Sequence, residues 1–188
     1  SIAIWNVESG ELLRIFDVYG MASFICFTPD GDYIACNSTS SGFSGEMKTE
    51  IHLWNVESGK YVRDFCVIEN GKAVISVSGN GIVLAAGGGL FTNNLNNKLM
   101  AWSLSTGKPI CYLRNHSGAI TTLKLNSEGT LAVSGSEDGS VKLWEIPSGR
   151  CLCTLGESYQ TVNAVSFTPD EQSVIAVVTC KEKSPNQF

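Results

Sequence analysis

An all-β chain of repeated four-stranded antiparallel units is the fold this sequence predicts, and three observations carry that expectation. One ten-residue phrase recurs four times: IAIWNVESGE at Ile2–Glu11, IHLWNVESGK at Ile51–Lys60, LMAWSLSTGK at Leu99–Lys108 and VKLWEIPSGR at Val141–Arg150. Each copy alternates apolar residues up to a Trp, the period-2 pattern of a half-buried strand, and ends in Ser-Gly or Thr-Gly, which suits a tight turn into another strand. The Trp residues, Trp5, Trp54, Trp102 and Trp144, stand 49, 48 and 42 residues apart, and a period in the forties with β patterning is that of propeller blades. Turn chemistry separates the apolar runs, as at Pro29-Asp30-Gly31, where a fixed φ, a side-chain acceptor and a permissive φ follow one another.

In chain order, Ile2–Asn6 and Leu12–Phe16 read as the outer two strands of a first unit, a half blade over residues 2–16. The second unit, residues 22–65, has strands at Ser23–Phe27, Tyr33–Asn37, Glu50–Asn55 and Tyr61–Phe65. Between its second and third strands lies Ser38–Thr49, longer than the usual hairpin loop of 2–5 residues and expected to be an insertion. The third unit, residues 72–114, has strands at Ala73–Val77, Ile82–Ala86, Lys98–Ser103 and Pro109–Leu113. It too carries a long central connection, Gly87–Asn97, which opens with three glycines and ends in an Asn-rich stretch. The fourth unit, residues 119–155, is the most regular, with strands at Ile120–Leu125, Thr130–Ser134, Val141–Trp144 and Cys151–Leu155. A second half blade, residues 162–178, follows, and residues 181–188 form a polar tail. The propeller segment is thus residues 1–180. Because the chain starts with Ser1, inside a repeat, it is expected to be an incomplete arc of a larger propeller with further blades in the same parent chain. Closure of its two half blades onto one another is the alternative.

The stretch NHSGAITTLKLNSEGTLAVSGSEDGSVKLWEIPSGRCLCTL, Asn115–Leu155, resembles a WD repeat along its whole length. His116-Ser117-Gly118 stands where that family has Gly-His, and Trp144-Glu145 replaces Trp-Asp. The resemblance implies a β-propeller and a hydrogen-bonded tetrad, Asp138 to His116 to Ser134 to the Trp144 indole, that sets strand register; Ser136 has the same strand parity as Ser134 and could take its place. The second and third units have Val18-Tyr19-Gly20 and Ile68-Glu69-Asn70 where a His would stand, so Trp54 and Trp102 are expected to be held by packing between blades.

Composition bounds the function. The chain carries 13 basic and 18 acidic residues, net charge −5, scattered without runs, so no footprint for nucleic acid or anionic lipid is visible. Nor is any apolar run close to the ~20 residues that span a bilayer. Seven cysteines without a CxxC pair argue against a disulfide framework and for a reducing, cytoplasmic setting. Cys151 and Cys153 share a strand face but lack two further ligands, and His52 reads as a lone His with no Cys, His or carboxylate partner at ligand spacing, so no metal is expected. Gly87-Gly88-Gly89 lacks the Lys-Ser/Thr of a phosphate loop, and no cofactor is expected. Asn37-Ser38-Thr39 and Asn115-His116-Ser117 match the glycosylation pattern, which is common by chance.

A His, a Ser and an Asp in one unit invite a hydrolase reading, but a Ser committed to an indole is a poor nucleophile, and no catalytic residues are assigned. Function is therefore expected at a surface: a non-enzymatic scaffold that presents a loop-rich propeller face to other proteins. Phe43, Met47, Leu90, Phe91 and Leu95, apolar residues in otherwise polar connections, are the candidate partner-binding residues. The alternative is a regulatory or sensor propeller of a larger multidomain enzyme or nucleotide-driven signalling protein.

Overall fold

The computed structural model describes residues 1–28, 30–41, 47–69, 72–88, 98–156 and 159–180. Within them the chain is all-β, with three four-stranded antiparallel sheets between two two-stranded ones. The first pair is β1 (Ile2–Trp5) and β2 (Leu12–Phe16). The second blade holds β3 (Met21–Phe27), β4 (Tyr33–Ser41), β5 (Met47–Asn55) and β6 (Tyr61–Glu69). The third holds β7 (Lys72–Val77), β8 (Ile82–Gly88), β9 (Lys98–Ser103) and β10 (Pro109–Leu113). The fourth holds β11 (Ile120–Leu125), β12 (Leu131–Ser136), β13 (Val141–Glu145) and β14 (Arg150–Gly156), and the last pair is β15 (Tyr159–Phe167) and β16 (Val174–Cys180). Every sheet follows chain order, and the two terminal pairs remain separate sheets.

The recurrent phrase has a local physical cause. After each Trp strand the chain reverses through a glycine whose N–H donates to the carbonyl four residues earlier: Gly10 to Asn6, Gly59 to Asn55, Gly107 to Ser103 and Gly149 to Glu145, all at 2.8–3.0 Å. These glycines have φ of 68–73°, a left-handed conformation that a Cβ disfavours. The first hairpin uses a hydroxyl in the second and third blades and the last pair, and the Asn126 amide oxygen, which accepts the Leu131 N–H at 2.9 Å, in the fourth. Thr28 accepts the Tyr33 N–H at 3.0 Å while Asp30 accepts that of Asp32, and Thr168 and Asp170 repeat the device with Ser173 and Gln172. Such side-chain acceptors stand in for ladder partners at the turn. These two sets of turns share one rim, tied by Val56 N–H to Asp32, Leu104 N–H to Gly81 and Ile146 N–H to Thr130, each at 2.8 Å.

The core lies between blades. Ile2 and Phe16 of the first pair pack on Ile34, Cys36 and Trp54 of the second blade. Ile51 meets Ile75, Val83, Ala85 and Trp102 of the third, whose Leu84, Leu99 and Leu113 meet Ile120, Leu123 and Trp144 of the fourth. Val133 and Val141 then meet Val162 and Val165 of the last pair. Each inner Trp thus faces the preceding blade. An indole buried this way removes roughly 150–250 Å² from water, a gross gain of about 4–6 kcal/mol before ordering entropy. Trp5 faces away from the second blade and is 58% exposed. The middle strands are buried on both faces, which demands small residues where sheets approach closely: a Cβ on Gly135 would lie 2.3 Å from Val162 Cγ1.

Several strands run longer than the sequence pattern suggests, and the expected insertion Ser38–Thr49 is largely strand. β4 and β5 continue in register through Ser38↔Glu50, Thr39↔Thr49, Ser40↔Lys48 and Ser41↔Met47. β6 follows them, with Thr49↔Ile68 and Lys48↔Glu69. The reason is cross-strand: the Thr39 and Thr49 hydroxyls hydrogen-bond at 2.9 Å, so a polar Ser/Thr run that reads as loop along the chain is satisfied as a ladder. Asn37, the first glycosylation candidate, is fully buried, and its side-chain oxygen accepts the Phe24 N–H at 2.7 Å.

Candidate functional site

The rim opposite the glycine turns carries the connections into and across each blade, and in the fourth blade it is fastened by a polar relay. His116, on the link from β10 to β11, bonds through Nδ1 to Asp138 Oδ2 at 2.9 Å and through Nε2 to Ser134 Oγ at 2.7 Å. The Trp144 indole N–H donates to the same Ser134 oxygen at 2.8 Å. One assignment satisfies every atom: Nδ1–H donates to Asp138, and Nε2 accepts the Ser134 hydroxyl proton. Asp138 further accepts the Ser117 and Ser140 N–H groups, each at 2.9 Å, and the Ser140 hydroxyl at 2.6 Å. Burial alone would raise its pKa, but the Ser140 bonds, then those from His116 and Ser117, hold its carboxyl far below the usual range. Burial pushes the His116 pKa down by more than the Asp138 bond and charge raise it, so the imidazole is neutral.

This arrangement is a lock. Ser134 is 0% exposed, and its oxygen is bounded by an indole and an imidazole, leaving no approach for a reacting carbonyl. Ser136 serves elsewhere, accepting the Asp138 N–H at 3.1 Å. Gly118 allows the two connections to close up, since a Cβ there would lie 2.5 Å from the Asp138 nitrogen. Ser140 was missed by sequence reasoning, although its place two residues after an Asp in a turn is the pattern of an Asx motif.

Register explains why the other blades differ. Trp144 lies opposite Ala132, and Ser134 follows two residues on. In the second blade Trp54 lies opposite Ile34, which brings Cys36 to that position. In the third, Trp102 lies opposite Val83, which brings Ala85 there. Trp54 instead packs edge-on against Phe16, with ring centroids 6.3 Å apart, and Trp102 packs among Ile51, Ile75 and Val83.

The second blade carries a relay of its own, built from strands alone. His52 on β5 bonds through Nε2 to Ser38 Oγ on β4 at 2.7 Å and through Nδ1 to Asp64 on β6. Asp64, which no ligand spacing along the chain ties to His52, lies directly opposite it across the β5–β6 pair, twelve positions away in a chain that had to fold to bring them together.

Of the candidate partner-binding residues, Met47 opens β5 opposite Ser41, while Phe43, Leu90, Phe91 and Leu95 lie outside the described residues. Among the described residues no group of three or more His, Cys, Asp or Glu side chains could hold a metal ion. Six cysteines there carry free thiols, and the Cys151 thiol bonds to the Cys153 carbonyl. No described helix is long and apolar enough to cross a membrane.

Comparison with known families decides the class of the repeat. Residues 107–145, which span the whole relay, match the family described as WD domain, G-beta repeat. The chain carries a WD repeat. Proteins similar to this chain include eukaryotic translation initiation factor 3 subunit I of Pyricularia oryzae, 33% identical over 88 residues that cover 47% of this chain and 26% of that protein. The same subunit of Culex quinquefasciatus is 30% identical over 86 residues, 46% of this chain and 26% of the relative. A ribosome biogenesis protein BOP1 homolog of Arabidopsis thaliana is 50% identical over 44 residues, 22% of this chain and 6% of that protein. The chain spans about a quarter of the length of the initiation-factor relatives it matches.

Proposed function

We propose that this WD-repeat chain is part of a non-enzymatic scaffold that presents the rim bearing its relays to partner proteins, with no cofactor, in the cytoplasm. The observation that carries this reading is the second blade, whose three outer strands continue in register beyond the relay as a ribbon on that rim. A ribbon anchored by the Ser38–His52–Asp64 relay can hold contact residues in place with little ordering cost on binding, which is what an interface needs. Burial of the Ser134 oxygen in the fourth blade agrees with a role in binding rather than in turnover. So does the name of the initiation-factor relatives, each a subunit of something larger. Phe43, Met47, Leu90, Phe91 and Leu95 are the side chains proposed to make the contacts.

Site-specific photo-crosslinking tests this. A benzophenone amino acid is placed in turn at those five positions and, as controls, at Gly31, Glu128 and Glu171 near the turns of the opposite rim. Discrete protein adducts from the first set and none from the second are expected. Equal labelling from both rims would overturn the assignment.

A further inference from the structure

Two strand edges are open, and they fit one another. Among the described residues β1 pairs with β2 alone and β16 with β15 alone, whereas β5, β9 and β13, which carry Trp54, Trp102 and Trp144, each pair on both sides. In blade order β15 and β16 are the first two strands of a blade, and β1 and β2 the last two. We propose that a second copy of this chain occupies each open edge, β16 of one copy pairing with β1 of the other, so that two arcs close head to tail into one ring. The inference stands apart from the scaffold reading above.

Register points to this partner. In the three whole blades the residue opposite the Trp is Ile34, Val83 or Ala132, and each of these also closes the first hairpin, opposite Phe27, Val77 or Leu125. In the last pair Val174 closes the hairpin opposite Phe167 and has no Trp strand beside it. Joined on the same register, Val174 lies opposite Trp5 and Ala176 opposite Ala3. Trp5 then faces the fourth blade of the other copy, as each inner Trp faces the blade before it.

The uncovered residues match as well. Ile25 is 53% exposed, although Leu123 and Val165 at the same strand position are 4% and 8% exposed, covered by the blade before them. Ile175 is 58% exposed, although Leu84 and Val133 at its position are 0% exposed, covered by the blade after them. In the closed ring Ile175 and Val177 of one copy meet Ile25 and Phe27 of the other. The turn glycines repeat the pattern. A Cβ on Gly59, Gly107 or Gly149 would lie 2.5–3.3 Å from Arg14, Arg63 or Cys111 of the blade before, each nine positions after that blade's Trp. A Cβ on Gly10 would meet nothing within 4 Å, and Cys153, nine positions after Trp144, is exposed. The ring sets Cys153 of one copy over Gly10 of the other.

Closure buries these apolar side chains and pairs backbone groups that each edge leaves free. Head-to-tail contacts give a closed ring when the rotation per subunit divides the circle. Three whole blades from each copy and two composite ones make eight, within the range of about 4–8 for propellers. Within one copy the two pairs remain separate sheets, so the partner is the second copy and not the chain's own other half blade.

Sedimentation velocity on the intact chain over a concentration series tests this, with the indole N–H resonances of Trp5 and Trp144 followed over the same range. A dimer is expected, the Trp5 signal shifting as it forms and Trp144 staying in place. Ile175→Asp, at an exposed position, is expected to weaken the dimer by about tenfold or more, with Trp144 reporting that the fold is intact. Mixing a copy that carries Ala3→Cys with a differently tagged copy that carries Ala176→Cys is expected to give, on oxidation, a disulfide between residues 3 and 176 that joins the two tags, identified by peptide mass spectrometry. A monomer at every concentration, assemblies that grow beyond two copies, or a dimer unchanged by Ile175→Asp would overturn the proposal. So would a bridge that forms only when both cysteines sit in one chain of monomer mass, which would mean that the half blades close on themselves.

Discussion

Ser134→Ala isolates the energetic role of the fourth-blade relay, because a single oxygen there serves two buried partners. The substitution leaves the Trp144 indole N–H without its acceptor and His116 Nε2 without its donor. Trp144 is 1% exposed and the His116 side chain 1% exposed, so water cannot replace the lost bonds at either atom. Leaving a buried donor or acceptor unsatisfied costs about 1–3 kcal/mol, and two such groups lead to an expected loss of about 2–6 kcal/mol. That is a large fraction of a typical domain stability of about 5–15 kcal/mol. Ser38→Ala makes the internal comparison. It removes the corresponding bond to His52, but His52 and Asp64 keep 14% and 45% side-chain exposure, and water can reach the vacated partner, so about 1 kcal/mol or less is expected. Urea denaturation of both variants and the parent, with the transition slope checked for constancy, reads the difference. A Ser134→Ala loss below about 0.5 kcal/mol, or one equal to that of Ser38→Ala, would refute the argument that this oxygen is the keystone of the blade.

The same relay sets a pH dependence. His116 has a folded pKa below its ordinary 6.5 and Asp138 one below 3.8, so in each case the unfolded chain binds more protons on acidification. Stability is then fully present above about pH 6.5, falls as His116 is forced to protonate, and falls again below about pH 4 as Asp138 is protonated. Melting temperatures from pH 8 to pH 3 should show both steps in the parent, and His116→Asn should lose the upper one. Gly135→Ala introduces a Cβ that meets Val162 and the Thr122 side chain at 2.3–2.8 Å, and overpacking of this kind costs about 1–3 kcal/mol. Hydrogen exchange should show β15 and β16 losing protection while β7–β10 keep theirs, whereas uniform loss would mean that the blades do not open separately.

Much of this architecture is legible along the chain because its causes are local. The Trp strands are visible through period-2 alternation, and the hairpins after them through glycines that supply a left-handed φ. The first turns of the blades are visible because Thr28-Pro29-Asp30 and Thr168-Pro169-Asp170 carry their acceptors within a few residues. His116, Ser134, Asp138 and Trp144 belong to one forty-residue unit whose resemblance to a WD repeat assigns them to a relay, and the structure sets them within hydrogen-bond distance of one another. Ser38–Thr49 misled for a definite reason: Ser and Thr are turn formers when they bond to their own backbone and strand formers when a hydroxyl finds a partner across a ladder.

The sequence by itself therefore determined the fold class, the blade period and the turn positions, consequences of strand parity and turn stereochemistry that act over a few residues or within one repeat, while the residues of the fourth-blade relay came only as what the resemblance to a WD repeat implies. Only the tertiary structure decided which side chains meet across strands and between blades. The partnership of His52 with Asp64, the presence of Cys36 and Ala85 where the fourth blade has Ser134, and the ribbon of β4–β6 all depend on register and on the approach of separate sheets. A one-residue slip in either reverses the face each side chain occupies, and no pattern within a single strand records that choice.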